Sequence, residues 1–215
     1  METYIKPPRR LPLLLRLSLA LVERRLGKSL VANRILAWYP KAFWGSGILE
    51  ALVAHGRREK RGGGGRNGDG GRDDGDDREL PRRLLKLIRM QVSFAVSCPF
   101  CIDMNSKEFS GEGITEDEIL ALRDIKSPTE VPSLSAAERA ALAYARSISA
   151  TPVAFEAAMI EELKRHFSER AIVIIASTAA QVNFWARLIQ SFGATPAGFT
   201  TDCSILDLEA YSTRR

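Results

Sequence analysis

Only three cysteines and two histidines occur in the 215 residues. Three cysteines cannot build the disulfide framework of a small secreted scaffold, so the chain is expected in a reducing, cytoplasmic setting. A structural zinc site is not expected either. The soft ligands besides the close-spaced pair Cys98 and Cys101 are His55, His166 and Cys203, which stand at distant, unpatterned positions, and such sites usually bring a second close-spaced pair. Long hydrophobic runs are scarce: no stretch approaches the roughly 20 apolar residues of a membrane span, and a soluble chain with no membrane partner is expected. The segment 11–22 follows Pro7, Pro8, Arg9 and Arg10 as a signal peptide would, but Arg16 and Ser18 interrupt it and no small-residue cleavage site follows. Its leucines instead make one stripe (Leu11, Leu15, Leu19, Val22, Leu26), which predicts an amphipathic first helix. Charge of one sign is not concentrated. The 31 basic and 26 acidic side chains are scattered and leave a net +5, so no nucleic-acid partner is expected.

What is present is helical. With 45% hydrophobic residues the chain can bury a core of one domain, or one domain with an appendage. Periodicity predicts helices over 11–26, 29–38 and 41–54 as an N-terminal layer. Further helices are predicted at 81–96, 99–109, 115–123, 135–149, 152–165 and 168–192. Thr115 and Ser135 each have a glutamate three residues on, Glu118 and Glu138, the pattern of a capping box, while Ser168 is a simpler N-cap. Gly193 and Pro196 end the last helix. The β-branched run 172–175 sits inside a longer helical pattern and reads as buried helix, so the class is all-α.

Four segments are expected: an N-terminal helical extension (1–55), a disordered Gly/Asp/Arg-rich loop (56–79), a helical core domain (80–196) and a C-terminal tail (197–215). The loop's glycines and aspartates suggest calcium, but the closing glutamate of an EF-hand and the stacking hydrophobe of a β-roll repeat are missing. No Gly-Lys-Ser/Thr follows, which excludes a phosphate-cradling loop and leaves a flexible linker.

The chemistry centres on Cys98-Pro99-Phe100-Cys101. A cysteine reacts as its thiolate and needs surroundings that favour negative charge. Pro99 is a favoured first-turn residue, which puts Cys98 at or just before a helix start, among unpaired amides, and Cys101 within the first turn. The pair is thus placed to attack with one sulfur and resolve with the other. A thioredoxin-type site has a similar motif, but there a strand precedes the dithiol and here an amphipathic helix does.

With that context, the segment Cys98-Pro99-Phe100-Cys101-Ile102-Asp103-Met104-Asn105-Ser106 resembles the carboxymuconolactone decarboxylase family, on its alkylhydroperoxidase-D-like branch. The likeness runs from about Arg82 to Gly193. It includes Leu87 to Ser93 before the dithiol, Leu134 to Ala145 after it, and Phe167-Ser168-Glu169-Arg170 ahead of the helix bearing Asn183. Arg34 to Leu52 is similar to the extra N-terminal helices of longer members. The resemblance implies a helical bundle and a thiol-dependent hydroperoxide reductase without a bound cofactor. It further implies attack by Cys101 through a sulfenic acid, resolution by Cys98, reduction by a thiol or dithiol protein, and a homo-oligomer, trimer or hexamer.

The peroxidase pattern carries a glutamate twelve residues before the first cysteine and a histidine four after the second; here Lys86 and Asn105 stand there. Lys86 can stabilise a thiolate by charge, and Asn105 can hydrogen-bond a sulfur or a peroxide oxygen. Asp103, Ser106 and His166 are further candidates, with Asn183 and Gln181 either bonded in the core or an interface, or lining the pocket. The alternative class is a redox-sensing or scaffold protein of the same fold, whose dithiol closes and opens without turnover. A decarboxylase would have no need of the dithiol.

Overall fold

Helix starts follow the capping chemistry written in the sequence. In the computed structural model, which describes residues 3–53, 80–200 and 204–207, Thr115 and Ser135 both close full capping boxes with Glu118 and Glu138, and the Ser168 hydroxyl accepts the Ala171 N–H. The described residues hold nine α-helices and no strand element: α1 Leu13–Leu26, α2 Val31–Leu36, α3 Pro40–Leu52, α4 Arg82–Ala95, α5 Pro99–Asn105, α6 Glu116–Leu122, α7 Ala136–Ser149, α8 Ala157–His166 and α9 Glu169–Ser191. The linker 56–79 lies outside the described residues, as do His55 and Cys203.

Helix α4 is the central element and divides the core in two. Leu87, Met90 and Phe94 pack with Ile102, Ile119, Leu122 and Leu142 on one side. Leu84, Leu85, Ile88 and Val92 pack on the other with Ala141, Ala145, Leu163, Ile175, Ala179 and Val182. With two faces buried, Met90 is fully buried alongside Leu87 and Ile88, whereas Ala95, the last residue of the helix, is exposed. What remains of the helix surface includes a polar stripe, Arg82, Lys86 and Arg89, at spacings of four and three residues.

Helix α9 buries Ile175, Ala179, Val182, Ala186 and Ile189 at helical spacing against α4, α5 and α7. This helix corrects the expectation that no stretch is long and apolar enough for a membrane. Its 23 residues, with a window of mean hydropathy 1.5, meet that test by length and composition; what they do in this fold is pack the bundle's core. Leu15 and Leu19 of α1 bury against Leu36, Ala37 and Phe43, with Trp185, Leu188 and Phe192 of α9 alongside, so the N-terminal layer leans on the far end of α9. Trp185 is used inside the chain, its indole N–H donating to Glu50.

Two helix bounds differ from expectation. Helix α5 stops at Asn105 rather than near 109, because Glu108 turns through the left-handed region (φ 53°) into a 3-10 turn at Phe109–Glu112. Helix α8 starts at Ala157 rather than Pro152; Phe155, in the extended lead-in, stacks on Tyr144 at 5.1 Å between ring centroids.

Candidate active site

The dithiol is delivered by a helix ending. Helix α4 closes in a Schellman motif: the Ser97 N–H donates to Phe94 O at 3.0 Å and the Cys98 N–H to Ser93 O at 3.1 Å. Ser97 takes the left-handed conformation (φ 49°) that glycine would adopt more easily, at a cost of roughly 1 kcal/mol. The chain then turns at once into α5, with Cys98 as N-cap and Pro99 at the first position. The Cys98 sulfur accepts the Cys101 N–H at 3.3 Å, and the two sulfurs, both free thiols, lie 2.7 Å apart.

Above the pair is a cavity of about 780 Å³, walled by α1, α2 and α3 on one side and by α4, α5, α9 and Phe199 on the other. Cys101 reaches it; Cys98 does not. Their exposures are 3% and 0%, so the second cysteine is the one open to the cavity. The walls are mostly apolar, including Phe43, Trp44, Phe100 and Trp185. The polar stripe of α4 also faces in, adding Arg82, Lys86 and Arg89.

The Cys98 sulfur beside it, together with burial, pushes the Cys101 thiol well above its ordinary value. This modifies the reading that a helix start makes the pair anionic: α5 is only seven residues long, and its N-cap position belongs to Cys98. At neutral pH the resting Cys101 is therefore a thiol, and its thiolate forms only as pH rises past the normal thiol range of about 8.5. Alkylation of Cys101 by iodoacetamide, followed by peptide mass mapping, is expected to be slow at neutral pH and to steepen under alkaline conditions. In Cys98→Ser, which removes the largest cause of the shift, the profile should move to lower pH; an unchanged profile would show that Cys98 does not hold the proton in place.

The remaining candidates separate. Lys86 and Asn105 both line the cavity with Cys101. The Lys86 ammonium donates to the Lys107 carbonyl, and burial lowers its pKa. The Asn105 amide donates to Ser93 Oγ at 2.9 Å, and Ser93 Oγ in turn donates to Arg89 O. Asp103 is absent from the cavity wall. Its buried carboxylate accepts the Gly198 and Thr200 N–H groups at 2.8 Å and the Thr200 hydroxyl at 2.9 Å, which straps residues 198–200, and with them Phe199, across the dithiol helix. Ser106 Oγ is buried, unpaired and off the wall. Asn183 donates to Ser149 Oγ and Ala179 O inside the bundle and is absent from the cavity wall, so of the two alternatives it makes the core bond. His166 pairs with Glu162 one turn earlier on α8, off the cavity wall.

Asp103→Asn retains one acceptor and gains a donor that faces the strap's own N–H groups. The variant is expected to lose about 2 kcal/mol in urea unfolding; a change within a few tenths would mean the strap contributes nothing.

Sequence reasoning missed Glu50. Its carboxylate faces the cavity from α3, accepting Gln181 Nε2 at 2.7 Å and Trp185 Nε1 at 3.0 Å, with the Arg89 guanidinium at 3.6 Å. Arg89 also donates to Gln181 Oε1 at 2.9 Å. The only sequence signal was an acid in an otherwise apolar helix. Glu112 adds a second carboxylate to the wall. Among the described residues no group of three or more His, Cys, Asp or Glu side chains is placed to hold a metal ion.

The bundle thus presents a Cys-x-x-Cys pair at a helix start, beside a largely apolar cavity. Residues 70–147 match the model of the carboxymuconolactone decarboxylase family, and the fold is AhpD-like. That match begins earlier and ends earlier than the likeness seen in the sequence. The uncharacterized protein YnjA of Escherichia coli (strain K12) is 29% identical over 104 residues, covering 48% of this chain and 56% of that protein, so the alignment spans little more than half the relative's length. Two solved structures share the fold over nearly the whole chain. The debrominase Bmp8 in complex with 2,3,4-tribromopyrrole superposes with a TM-score of 0.69 at 21% identity, covering 96% of this chain and 97% of that one. A peroxidase-related protein from Ralstonia eutropha JMP134, described as an alkylhydroperoxidase AhpD core, gives 0.63 at 19% identity, covering 90% and 92%.

Proposed function

We propose that this protein is a dithiol hydroperoxide reductase, in which Cys101 attacks and Cys98 resolves. The observation that carries this reading is the accessibility of Cys101 to the cavity, with the Cys98 sulfur 2.7 Å away and sealed from it. Cys101 displaces the alcohol from the peroxide, the O–O bond breaks, and the cysteine becomes a sulfenic acid while the alkoxide leaving group takes a proton. Cys98 then attacks the sulfenic sulfur, releasing water and forming the disulfide. A thiol or dithiol protein supplies two electrons and two protons to restore both thiols. The raised Cys101 thiol must lose its proton during attack. Glu50 and Glu112 are the cavity carboxylates available to receive it where the family pattern's glutamate is replaced by Lys86. Assembly into a homo-oligomer belongs to the same proposal.

A second reading draws on the debrominase neighbour, whose likeness extends over α1 to α3 and thus over the roof of the cavity. The same dithiol can reduce a carbon–bromine bond: hydrogen replaces bromine, bromide and a proton leave, and the two thiols close to a disulfide.

The test supplies the full-length protein with dithiothreitol and, separately, cumene hydroperoxide or tribromopyrrole. Peroxide consumption at many equivalents per protein supports the first reading, and bromide release supports the second. If neither substrate is turned over while the dithiol still cycles with redox buffer, a redox-sensing scaffold replaces both.

A further inference from the structure

We infer that the cavity over the dithiol takes an organic carboxylate with an apolar body, its charged end on Lys86 and its body among the cavity's aromatic side chains. This inference rests on reading the cavity as the substrate site, and it names the class of molecule that enters.

Arg82, Lys86 and Arg89 put three cations on a single cavity wall. Arg89 is committed, held against Glu50 at 3.6 Å and Gln181 at 2.9 Å. Lys86 is not: its ammonium donates to a backbone carbonyl, that of Lys107, and no carboxylate of a described residue comes within 4 Å of it. Glu112 and Glu108 act on it only from farther away, while Arg82 and Lys107 oppose its charge. Burial works against the charge too, so among the described residues Lys86 is a half-buried cation with no carboxylate at ion-pair distance and with N–H donors beyond the one on Lys107. What opens beside Lys86 is the cavity.

The rest of the cavity states the remainder of the ligand. Its volume of about 780 Å³ lies within the range of small-molecule sites. Phe43, Trp44, Phe100, Trp185 and Phe199 offer flat apolar surface, which suits a ring or chain and not a small hydrophilic anion. Cys101 lines the same space as Lys86, so a molecule anchored by its carboxylate presents its body to the reacting sulfur.

The test uses isothermal titration of the full chain with naphthoate and with the matching naphthylmethanol, which share a body and differ in charge. Native protein is expected to bind the acid at least roughly tenfold more tightly, the scale of one charge-assisted hydrogen bond. Lys86→Met should bring the ratio close to one while leaving the alcohol's affinity unchanged. Lys86→Arg should keep the preference, and so should Lys126→Met on the surface. A native ratio near one, a ratio unaltered in Lys86→Met, or no binding of either probe overturns the inference. Because titration needs no turnover, the two proposals fail separately. A clear acid preference without peroxide consumption leaves this site standing and removes the peroxidase, whereas peroxide turnover with a native ratio near one removes only the carboxylate site.

Discussion

Cys101→Ser is expected to consume no hydroperoxide above the uncatalysed rate, a loss of roughly three orders of magnitude or more, whereas Cys98→Ser will react once and stop at the sulfenic acid. The asymmetry follows from position. Both sulfurs sit at the start of α5, yet only Cys101 opens to the cavity, and Cys98 is spent as the N-cap behind it. Serine has nearly the same shape and still caps a helix, so neither substitution should disturb the fold. Without reductant, one equivalent of peroxide followed by dimedone should label Cys101 in Cys98→Ser and nothing in Cys101→Ser; peptide mass mapping reads the label. Label on Cys98 would reverse the assigned roles, and full activity in Cys101→Ser would remove the dithiol from the chemistry.

Arg83→Met is expected to destabilise the protein by about 3–5 kcal/mol, the cost of breaking a buried ion pair from one side. Arg83 donates to Glu118 Oε1 at 2.6 Å, to Glu138 Oε1 at 2.8 Å and to the Gly113 carbonyl at 2.5 Å. It thereby ties α4 to the N-terminal caps of α6 and α7. The Glu118 side chain is completely shielded from solvent. Burial raises its pKa, but hydrogen bonds from Arg83 and Ser133 and the Thr115 N–H outweigh that and hold it below its ordinary value. A carboxylate depressed in the folded state contributes stability above its unfolded pKa of about 4.3, and the contribution is lost as pH falls through the folded value. Native protein should therefore weaken in acid through this group, and Arg83→Met should already be weak at neutral pH. For a chain of this size the thermal midpoint should fall by on the order of 10 °C. A fall of a degree or two would show that water reaches Glu118 and that the cluster is not a structural lock.

The capping boxes illustrate what was legible and what was not. Thr115 with Glu118 and Ser135 with Glu138 could be read directly, because the partners are three residues apart and the geometry is local. That Arg83 would join both glutamates, from 35 and 55 residues away, could not. The burial of Met90 was not legible for a related reason: a single hydrophobic stripe is the right expectation for a helix packed on one side, and α4 is packed on two. Asp103, two residues past Cys101, looked like a supporting group by proximity in sequence. On a helix, two residues is more than half a turn, and its side chain points away to the strap at 198–200.

The sequence by itself determined the all-helical class, most helix starts and the placing of Cys98-Pro99-Phe100-Cys101 at a helix beginning, because periodicity, caps and the proline act within one or two turns of chain. It also carried the family likeness through that short segment. Only the tertiary structure decided which sulfur opens to the cavity, that Lys86 rather than a carboxylate faces it from α4, and that Glu50 enters it from α3. It also decided that Asn183 bonds within the core. These depend on which faces of separate helices are brought together around the shared space, and that is set by the packing of α1 to α3 and α9 about α4, over separations in sequence that no local pattern spans.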